Sequence, residues 1–180
     1  MTNLIHLTPS INQLNIINKL ENNVNVLVDS VAGSGKTTTN LYIAKHFYNK
    51  KILLLTYNAK LKLETRERVI KNGIDNIEIH SYHSFCVKYY NKLCFRDSVI
   101  TKMLKSKTCP LLKIDYDLII LDEVQDINMT YFRLVQKIYK DNGKNIPICV
   151  LGDKYQSIYS FNGADSRFIE LAPKCFKFND

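Results

Sequence analysis

The amino-acid sequence predicts an α/β domain, a three-layer sandwich in which helices cover both faces of a mainly parallel central sheet. Short apolar runs of strand length alternate with amphipathic helical patterns along the 180 residues, which is typical of a parallel sheet. The runs are rich in Val, Ile and Leu, as expected where both faces of a sheet are buried. A glycine-containing loop follows the first run and leads into a helical pattern, the arrangement that phosphate-binding loops require.

The strands and helices are predicted in order along the chain. Continuous Val, Ile and Leu mark the strands, whereas apolar residues at helical spacing, such as Ile11, Leu14 and Ile17, mark the helices. The predicted strands cover residues 24–29, 51–56, 77–80, 117–122 and 146–152. The predicted helices cover residues 10–20, 37–49, 59–71, 84–93, 128–139 and 165–171.

The segment 94–113 fits this alternation poorly. It is rich in Lys, Thr and Ser, contains Cys109 followed by Pro110, and lies between two strand patterns. A small helical insertion and an ordinary surface loop are both compatible with it. The sequence therefore predicts one domain over residues 1–180, with a short insertion at about 86–115.

Composition narrows the class of protein. With 46% hydrophobic and 23% charged residues, the chain is globular in composition. A net charge of +8 favours a polyanionic partner through counterion release, although a lysine-rich solvated surface would give the same value. The first ten residues lack the pattern of a signal peptide, and the longest apolar runs are of strand length. We therefore expect a soluble intracellular protein that does not span a membrane.

The cysteines predict free thiols. Their number is odd and no CxxC pair is present, which favours mostly buried thiols in a reducing compartment. An iron–sulfur cluster that uses Cys86, Cys94 and Cys109 is the alternative, and the loose spacing gives it little support. The five cysteines are Cys86, Cys94, Cys109, Cys149 and Cys175.

The loop at 30–37, with the sequence SVAGSGKT, predicts a nucleotide site. Gly33 and Gly35 allow backbone N–H groups to turn towards phosphate oxygens, and the following helix adds its N-terminal dipole. We expect Lys36 to reach the β- and γ-phosphates of ATP and the Thr37 hydroxyl to bind Mg²⁺. The predicted nucleotide-binding residues of the loop and helix start are Ala32, Gly33, Ser34, Gly35, Lys36, Thr37 and Thr38.

One position departs from the usual pattern of such a loop. The pattern GxxxxGK[ST] requires glycine where this chain has Ser30. Serine is small, so we expect the loop to form. A glycine-rich turn that merely precedes a helix is the alternative, and the strand before the loop argues against it.

The predicted strand 117–122 ends in two carboxylates. In an enzyme with a phosphate-binding loop, Asp122 would bind Mg²⁺ and Glu123 would take a proton from the attacking water. The same pair could simply place negative charge at a helix N-terminus. A general base that acts on water favours a hydrolase over a phosphotransferase, and the chain shows no arginine cluster of the kind a phosphotransferase lid would carry.

Four further segments have the pattern of known sequence motifs. The segment DEVQD at 122–126 and the segment GDKYQSIYSFNGA at 152–164 resemble the DExQD box and the GDxxQSIYxWRGA motif of superfamily-one DNA helicases of the UvrD/Rep type. TYNAK at 56–60 and SYHSF at 81–85 are similar to two further motifs. The sequences of these two segments are most similar to those of the F-box DNA helicase branch, although no F-box is present. The resemblance implies a RecA-like fold for most of the chain.

The resemblance also implies roles for individual residues. Gln13 would recognise adenine, although the spacing of the family from Leu7 points to position 11. Gln156 would sense the γ-phosphate and act with Lys36, Asp122 and Glu123 in catalysis. The residues expected along the path of single-stranded DNA are Tyr57, Asn58, His83 and Phe161.

Aromatic residues suit such a path because bases stack on aromatic faces without sequence preference. Core packing is the alternative role for Tyr57 and Phe161. Phe161 stands where the family has Trp, and Asn162 stands where it has Arg, which removes a charge.

The resemblance implies a motor of two RecA-like domains with ATP between them. The second domain would supply an arginine finger, and no motif of that domain is present in the 180 residues. We therefore expect this chain to be the ATP-binding half of a helicase, weakly active by itself. In the complete protein, ATP hydrolysis would be coupled to translocation on single-stranded DNA. A nucleotide-dependent DNA-binding module without turnover is the alternative.

Overall fold

Five parallel strands form the central sheet of the computed structural model, which describes residues 8–29 and 35–153. The strands are β1 (Val26–Asp29), β2 (Ile52–Thr56), β3 (Ile77–Ser81), β4 (Leu118–Asp122) and β5 (Ile148–Gly152). Their order across the sheet is β1-β5-β4-β2-β3, and every neighbouring pair is parallel. The predicted parallel α/β fold is confirmed, and each strand lies within its predicted range or extends it by one residue.

Six α-helices are present in the described residues. They are α1 (Ile11–Glu21), α2 (Lys36–His46), α3 (Ala59–Lys71), α4 (Tyr82–Tyr89), α5 (Asp97–Lys105) and α6 (Met129–Asn142). The predicted bounds of α3 are confirmed, but α2 ends before the predicted residue 49. The predicted helix 165–171 lies outside the described residues.

Helix α4 begins and ends earlier than the predicted range of 84–93. Ser81 caps its N-terminus: its hydroxyl accepts from the backbone N–H of Ser84 at 3.2 Å, and the Ser84 hydroxyl accepts from the N–H of Ser81 at 2.9 Å. This reciprocal cap starts the helix at Tyr82. The sequence alone favoured a later start because it shows the apolar residues of α4 more clearly than its cap.

The core lies in two layers, one on each face of the sheet. Side chains alternate between faces along a strand, so Leu53 and Leu55 pack on one side while Ile52 and Leu54 pack on the other. Helices α1, α2 and α3 cover the second side, and helices α4, α5 and α6 cover the first. The predicted three-layer sandwich is therefore confirmed.

The segment 94–113 contains a helix, α5. A helix was one of the two interpretations that the sequence allowed, and a surface loop was the other. Ile100 and Met103 of this helix are buried in the same cluster as the strand residues of that face. Cys94, the first residue of the segment, and Ile114, which directly follows it, belong to this cluster as well. The segment thus packs as part of the helical layer.

Three of the four described cysteines are buried free thiols. Cys86, Cys94 and Cys149 are buried, whereas Cys109 is exposed and Cys175 lies outside the described residues. Within the described part of the chain, no group of three or more His, Cys, Asp or Glu residues could hold a metal ion. The alternative of an iron–sulfur cluster on Cys86, Cys94 and Cys109 therefore has no support there.

A hydrogen-bond network surrounds Glu78 on β3. One carboxylate oxygen accepts from His80 Nε2 at 2.6 Å and from Lys88, and the other accepts from the hydroxyl of Tyr89 at 3.0 Å and from that of Tyr116. Burial raises the pKa of Glu78, but the hydrogen bonds from His80, Lys88 and Tyr116 outweigh it and hold this pKa well below its ordinary value of 4.5. The ionised carboxylate therefore stabilises the fold.

We expect acid to remove this contribution. Because the pKa of Glu78 is lowered in the folded state, its stabilisation is present above the ordinary value of 4.5 and is lost as the pH falls below it. Glu78→Gln should lower the urea midpoint at pH 7 and flatten its dependence on pH between pH 6 and 3. Urea unfolding at several pH values measures both effects. Equal slopes for the wild type and the variant would contradict this role of Glu78.

Candidate nucleotide site and nucleic-acid face

The candidate nucleotide site lies where β1 ends and α2 begins. Gly35 precedes α2 with φ 93°, a left-handed conformation that favours glycine, and Lys36 is the first residue of the helix. The N-terminus of this helix offers unpaired N–H groups and a positive dipole end, both suited to phosphate. Thr37 and Thr38 follow in its first turn. The other predicted loop residues, Ala32, Gly33 and Ser34, lie outside the described residues.

Lys36 and Glu123 form an ion pair at this site. The Nζ of Lys36 lies 3.1 Å from Oε2 of Glu123, and the side chains are only 9% and 19% exposed. The predicted phosphate-binding lysine and the predicted general base are therefore in direct contact. A phosphate group that binds Lys36 has to compete with the Glu123 carboxylate for it.

Asp122 is buried beside this pair. Its Oδ2 accepts from Nδ2 of Asn40 at 3.3 Å, and its Oδ1 accepts from the backbone N–H of Glu123 at 3.1 Å. Burial, together with the charge of Glu123, raises the pKa of Asp122 to about 6, although Lys36 and Asn40 act in the opposite direction. A cation next to Asp122 would favour its ionised form.

The residues around Asp122 fit a magnesium ion that is bound together with phosphate. Mg²⁺ is usually bound by one or two carboxylates, waters and substrate phosphates, and not by an all-protein cage. Asp122 supplies one buried carboxylate, and Thr37 lies in the first turn of α2. The Oδ1 of Asn40 is buried and has no hydrogen-bond partner in the described part of the chain, so an acceptor for a metal-bound water is present there.

Glu123 is held in place by a residue whose role the sequence did not indicate. Glu123 has φ 54°, which is strained for a residue other than glycine, and the 3₁₀ turn Val124–Asp126 follows it. Gln125 is 2% exposed; its Nε2 donates to Oε2 of Glu123 at 2.6 Å, and its Oε1 accepts from the backbone N–H of Asp153 at 3.1 Å. Gln125 thus joins Glu123 to the end of β5.

Gln13 lies beside a cavity that reaches Lys36. Its Nε2 donates to the hydroxyl of Thr39 on α2 at 3.0 Å, and its Oε1 accepts from the N–H of Ser10 at 2.9 Å. The cavity has a volume of about 370 Å³ and is lined by α1, β1 and the start of α2. This volume is within the range of small-molecule sites, so Gln13 and Lys36 could contact one ligand.

The rings of Tyr57 and His83 both pack against the buried ring of Tyr131. Tyr57 is 38% exposed and packs edge-on against Tyr131 at 5.9 Å, and the His83 ring lies 5.7 Å from the same ring. Tyr131 also stacks on Tyr82 at 4.7 Å. Tyr57 therefore presents part of its ring to solvent instead of filling the core. Sequence reasoning did not select Tyr131, whose position depends on how α6 packs against α4.

Asp97 contacts two members of this aromatic group, His83 and Tyr131. Its Oδ1 lies 2.8 Å from Nε2 of His83 and accepts from the hydroxyl of Tyr131 at 2.7 Å. Asn58 adjoins Tyr57 and caps α3, because its Oδ1 accepts from the N–H of Lys60 at 2.8 Å. The side-chain oxygen of Asn58 is thus engaged with the protein. Gln156 and Phe161 lie outside the described residues.

The five-stranded parallel sheet covered by helices on both faces is the fold of RecA-like helicase motor domains. A family model described as AAA domain matches residues 13–162, and the chain belongs to this family. Within it, the chain is an N-terminal motor domain of the superfamily-one helicases, as the relatives below indicate. The predicted resemblance is thereby confirmed, while closeness to the F-box branch stays a prediction.

Two curated relatives and one solved structure illustrate the similarity. RecB, a subunit of the RecBCD enzyme of Buchnera aphidicola, is 28% identical over 87% of this chain and 15% of its own length. The ATP-dependent DNA helicase UvrD1 of Mycobacterium tuberculosis is 43% identical over 29% of this chain and 7% of its own. The Pif1 helicase of Candida albicans shares the fold with a TM-score of 0.58 at 16% identity, over 89% of this chain and 36% of Pif1.

The chain therefore spans a small part of the length of these relatives. Among residues 8–29 and 35–153, no helix has the length and apolar character needed to cross a membrane.

We expect Gln125 and Glu123 to be coupled energetically. Gln125→Ala removes both hydrogen bonds of this buried amide, to Glu123 and to the N–H of Asp153, which should cost about 1–3 kcal/mol of unfolding free energy. A double-mutant cycle with Glu123→Ala, measured by urea unfolding, should give a coupling of roughly 0.5–3 kcal/mol. Additive effects of the two substitutions would show that the hydrogen bond between the side chains contributes nothing to stability.

Proposed function

We propose that this chain is the ATP-binding half of a DNA helicase motor, in which ATP hydrolysis drives movement along single-stranded DNA. The observation that carries the proposal is the contact between Lys36 and Glu123 beside the buried Asp122. It brings a cation suited to phosphate, a carboxylate suited to activating water and a buried carboxylate suited to Mg²⁺ to one sheet edge. The relative UvrD1 is named an ATP-dependent DNA helicase, which supports the same function here.

The proposed reaction begins with an exchange of partners by Lys36. When ATP binds, its phosphates take Lys36 away from Glu123, and the Glu123 carboxylate becomes free to accept a proton from the attacking water. Gln125 keeps Glu123 in position during this exchange. Thr37 and Asp122 would hold Mg²⁺, which neutralises charge on the β- and γ-phosphates. Gln13 would contact the adenine in the cavity beside α1, and Gln156 would sense the γ-phosphate.

The nucleic-acid contacts are proposed for the side of the sheet that α4, α5 and α6 cover. Tyr57 and His83 would stack against bases, with Asn58 beside them and Phe161 contributing a further ring. A second RecA-like domain would close over the ATP and supply an arginine worth about 10³–10⁵ in rate. The single-domain organisation of residues 1–180 belongs to this proposal.

We expect Lys36 and Glu123 substitutions to separate binding from turnover. Lys36→Ala should abolish binding of Mg²⁺-ATP by the 180-residue chain. Glu123→Gln should bind ATP at least as tightly as the wild type, because Lys36 is freed from its ion pair, while single-turnover hydrolysis falls by about 10²–10⁴. Fluorescent-nucleotide titration and phosphate release measure these quantities.

Three outcomes of this assay are informative. Slow turnover with little stimulation by DNA would support a motor half that lacks its arginine. ATP-dependent changes in DNA affinity, with no hydrolysis even when a second motor domain is supplied, would favour the binding module without turnover. Binding of ATP by Lys36→Ala as tightly as by the wild type would overturn the proposed nucleotide site.

We expect Tyr57 to contribute to DNA binding. Base–aromatic stacking is worth about 1–3 kcal/mol per base, so Tyr57→Ala should weaken binding of oligothymidylate by about 5- to 150-fold. Tyr48, which is 77% exposed near the end of α2, provides a matched control, and Tyr48→Ala should bind like the wild type. Fluorescence anisotropy measures both. Equal affinities of the two variants would remove Tyr57 from the path.

A further inference from the structure

A groove with a basic lining lies between α5 and α6. Its volume is about 240 Å³, and no carboxylate lines it. Three lining residues are cationic, two are threonines and one is apolar. We call this set the basic groove: Thr101, Leu104, Lys105, Thr130, Arg133 and Lys137.

Two of the three cations in the basic groove are uncompensated. Lys137 pairs with Asp141 at 2.9 Å and lies over the ring of Tyr90 at 5.1 Å. Lys105 and Arg133 are exposed, and neither forms an ion pair with another described residue. Like charges that face one groove repel each other, so an anion between them would be stabilised by both.

The hydrogen-bond donors of the basic groove suit phosphate oxygens. The guanidinium of Arg133 offers a planar set of N–H donors, which matches a phosphate group. The Thr101 hydroxyl donates to the carbonyl oxygen of Asp97 at 2.9 Å and is therefore engaged. The Thr130 hydroxyl has no partner among the described residues and remains a donor for a ligand.

The basic groove adjoins the aromatic group around Tyr131. Asp97, which contacts His83 and Tyr131, is the first residue of α5, and Thr101 follows it by one helical turn. Thr130 directly precedes Tyr131 on α6. On α5 the lining residues run from Thr101 to Lys105, a rise of about 6 Å at roughly 1.5 Å per residue, so the groove begins one turn beyond Asp97.

We infer that the basic groove binds the phosphodiester backbone of a single-stranded nucleic acid whose bases lie on Tyr57 and His83. The groove supplies the charge and the donors that the aromatic group lacks. The inference rests on the proposed function, because it requires that the chain binds nucleic acid. It adds a contact outside the residues that the sequence motifs select.

The test compares two double variants of the 180-residue chain. Lys105→Ala with Arg133→Ala removes the uncompensated charges of the groove, whereas Arg68→Ala with Lys71→Ala removes the same charge from the exposed side of α3. Binding of a labelled 12-nucleotide oligothymidylate is measured by fluorescence anisotropy at several salt concentrations. Loss of two phosphate contacts should weaken binding about twentyfold at 0.1 M salt and lower the salt slope by about 1.4.

The α3 control should bind within twofold of the wild type. A methylphosphonate oligothymidylate, whose backbone is uncharged, should bind equally to the groove variant and the wild type. All four substituted residues are exposed, so urea midpoints should stay unchanged.

The remaining outcomes overturn the inference in distinguishable ways. Equal weakening by the two double variants would mean that only net charge matters. Weakening by Tyr57→Ala without weakening by the groove variant would overturn the groove and preserve the proposed function. Absence of any binding by the wild type would overturn both.

Discussion

Burial of the central strands on both faces is the constraint on which the rest of the structure depends. Strands β2, β4 and β5 have no exposed residue, so two helical layers are needed to cover them. Parallel pairing then brings the carboxyl ends of the strands to one edge: Asp29 is paired with Gly152, and Thr56 with Asp122. The polar residues that follow these ends are thereby gathered without any loop having to reach across the molecule.

The charges of the gathered groups compensate one another. A buried carboxylate or ammonium is costly unless it is paired, and Lys36 with Glu123 meets that requirement at 3.1 Å. In the proposed nucleotide site, a phosphate group would have to interact with Lys36 more strongly than the Glu123 carboxylate does. The strained backbone at Glu123 is held by Gln125, whose amide uses both its donor and its acceptor. Both carboxylates of the site are therefore held by side chains of the protein.

Much of the fold and part of the site were predictable from the sequence. The strands were clear because they are continuous runs of Val, Ile and Leu, and Lys36, Asp122 and Glu123 follow from fixed spacing along the chain. Gln125, Asp97 and Tyr131 were not assigned a role, because their partners are distant in sequence and only tertiary packing defines them. The start of α4 was missed for a local reason, since serines act as caps only when the backbone turns suitably.

The distribution of the thiols has a practical consequence for chemical labelling. Burial raises the pKa of Cys149 to about 12 and also raises that of Cys86, so these side chains hold almost no reactive thiolate at neutral pH. Cys109 is the one exposed thiol among the four described cysteines, and it lies shortly after the end of α5. A maleimide dye would therefore react there in preference to the other three. Such a probe stands next to the helix that forms one wall of the basic groove, where it can signal an occupant through its fluorescence.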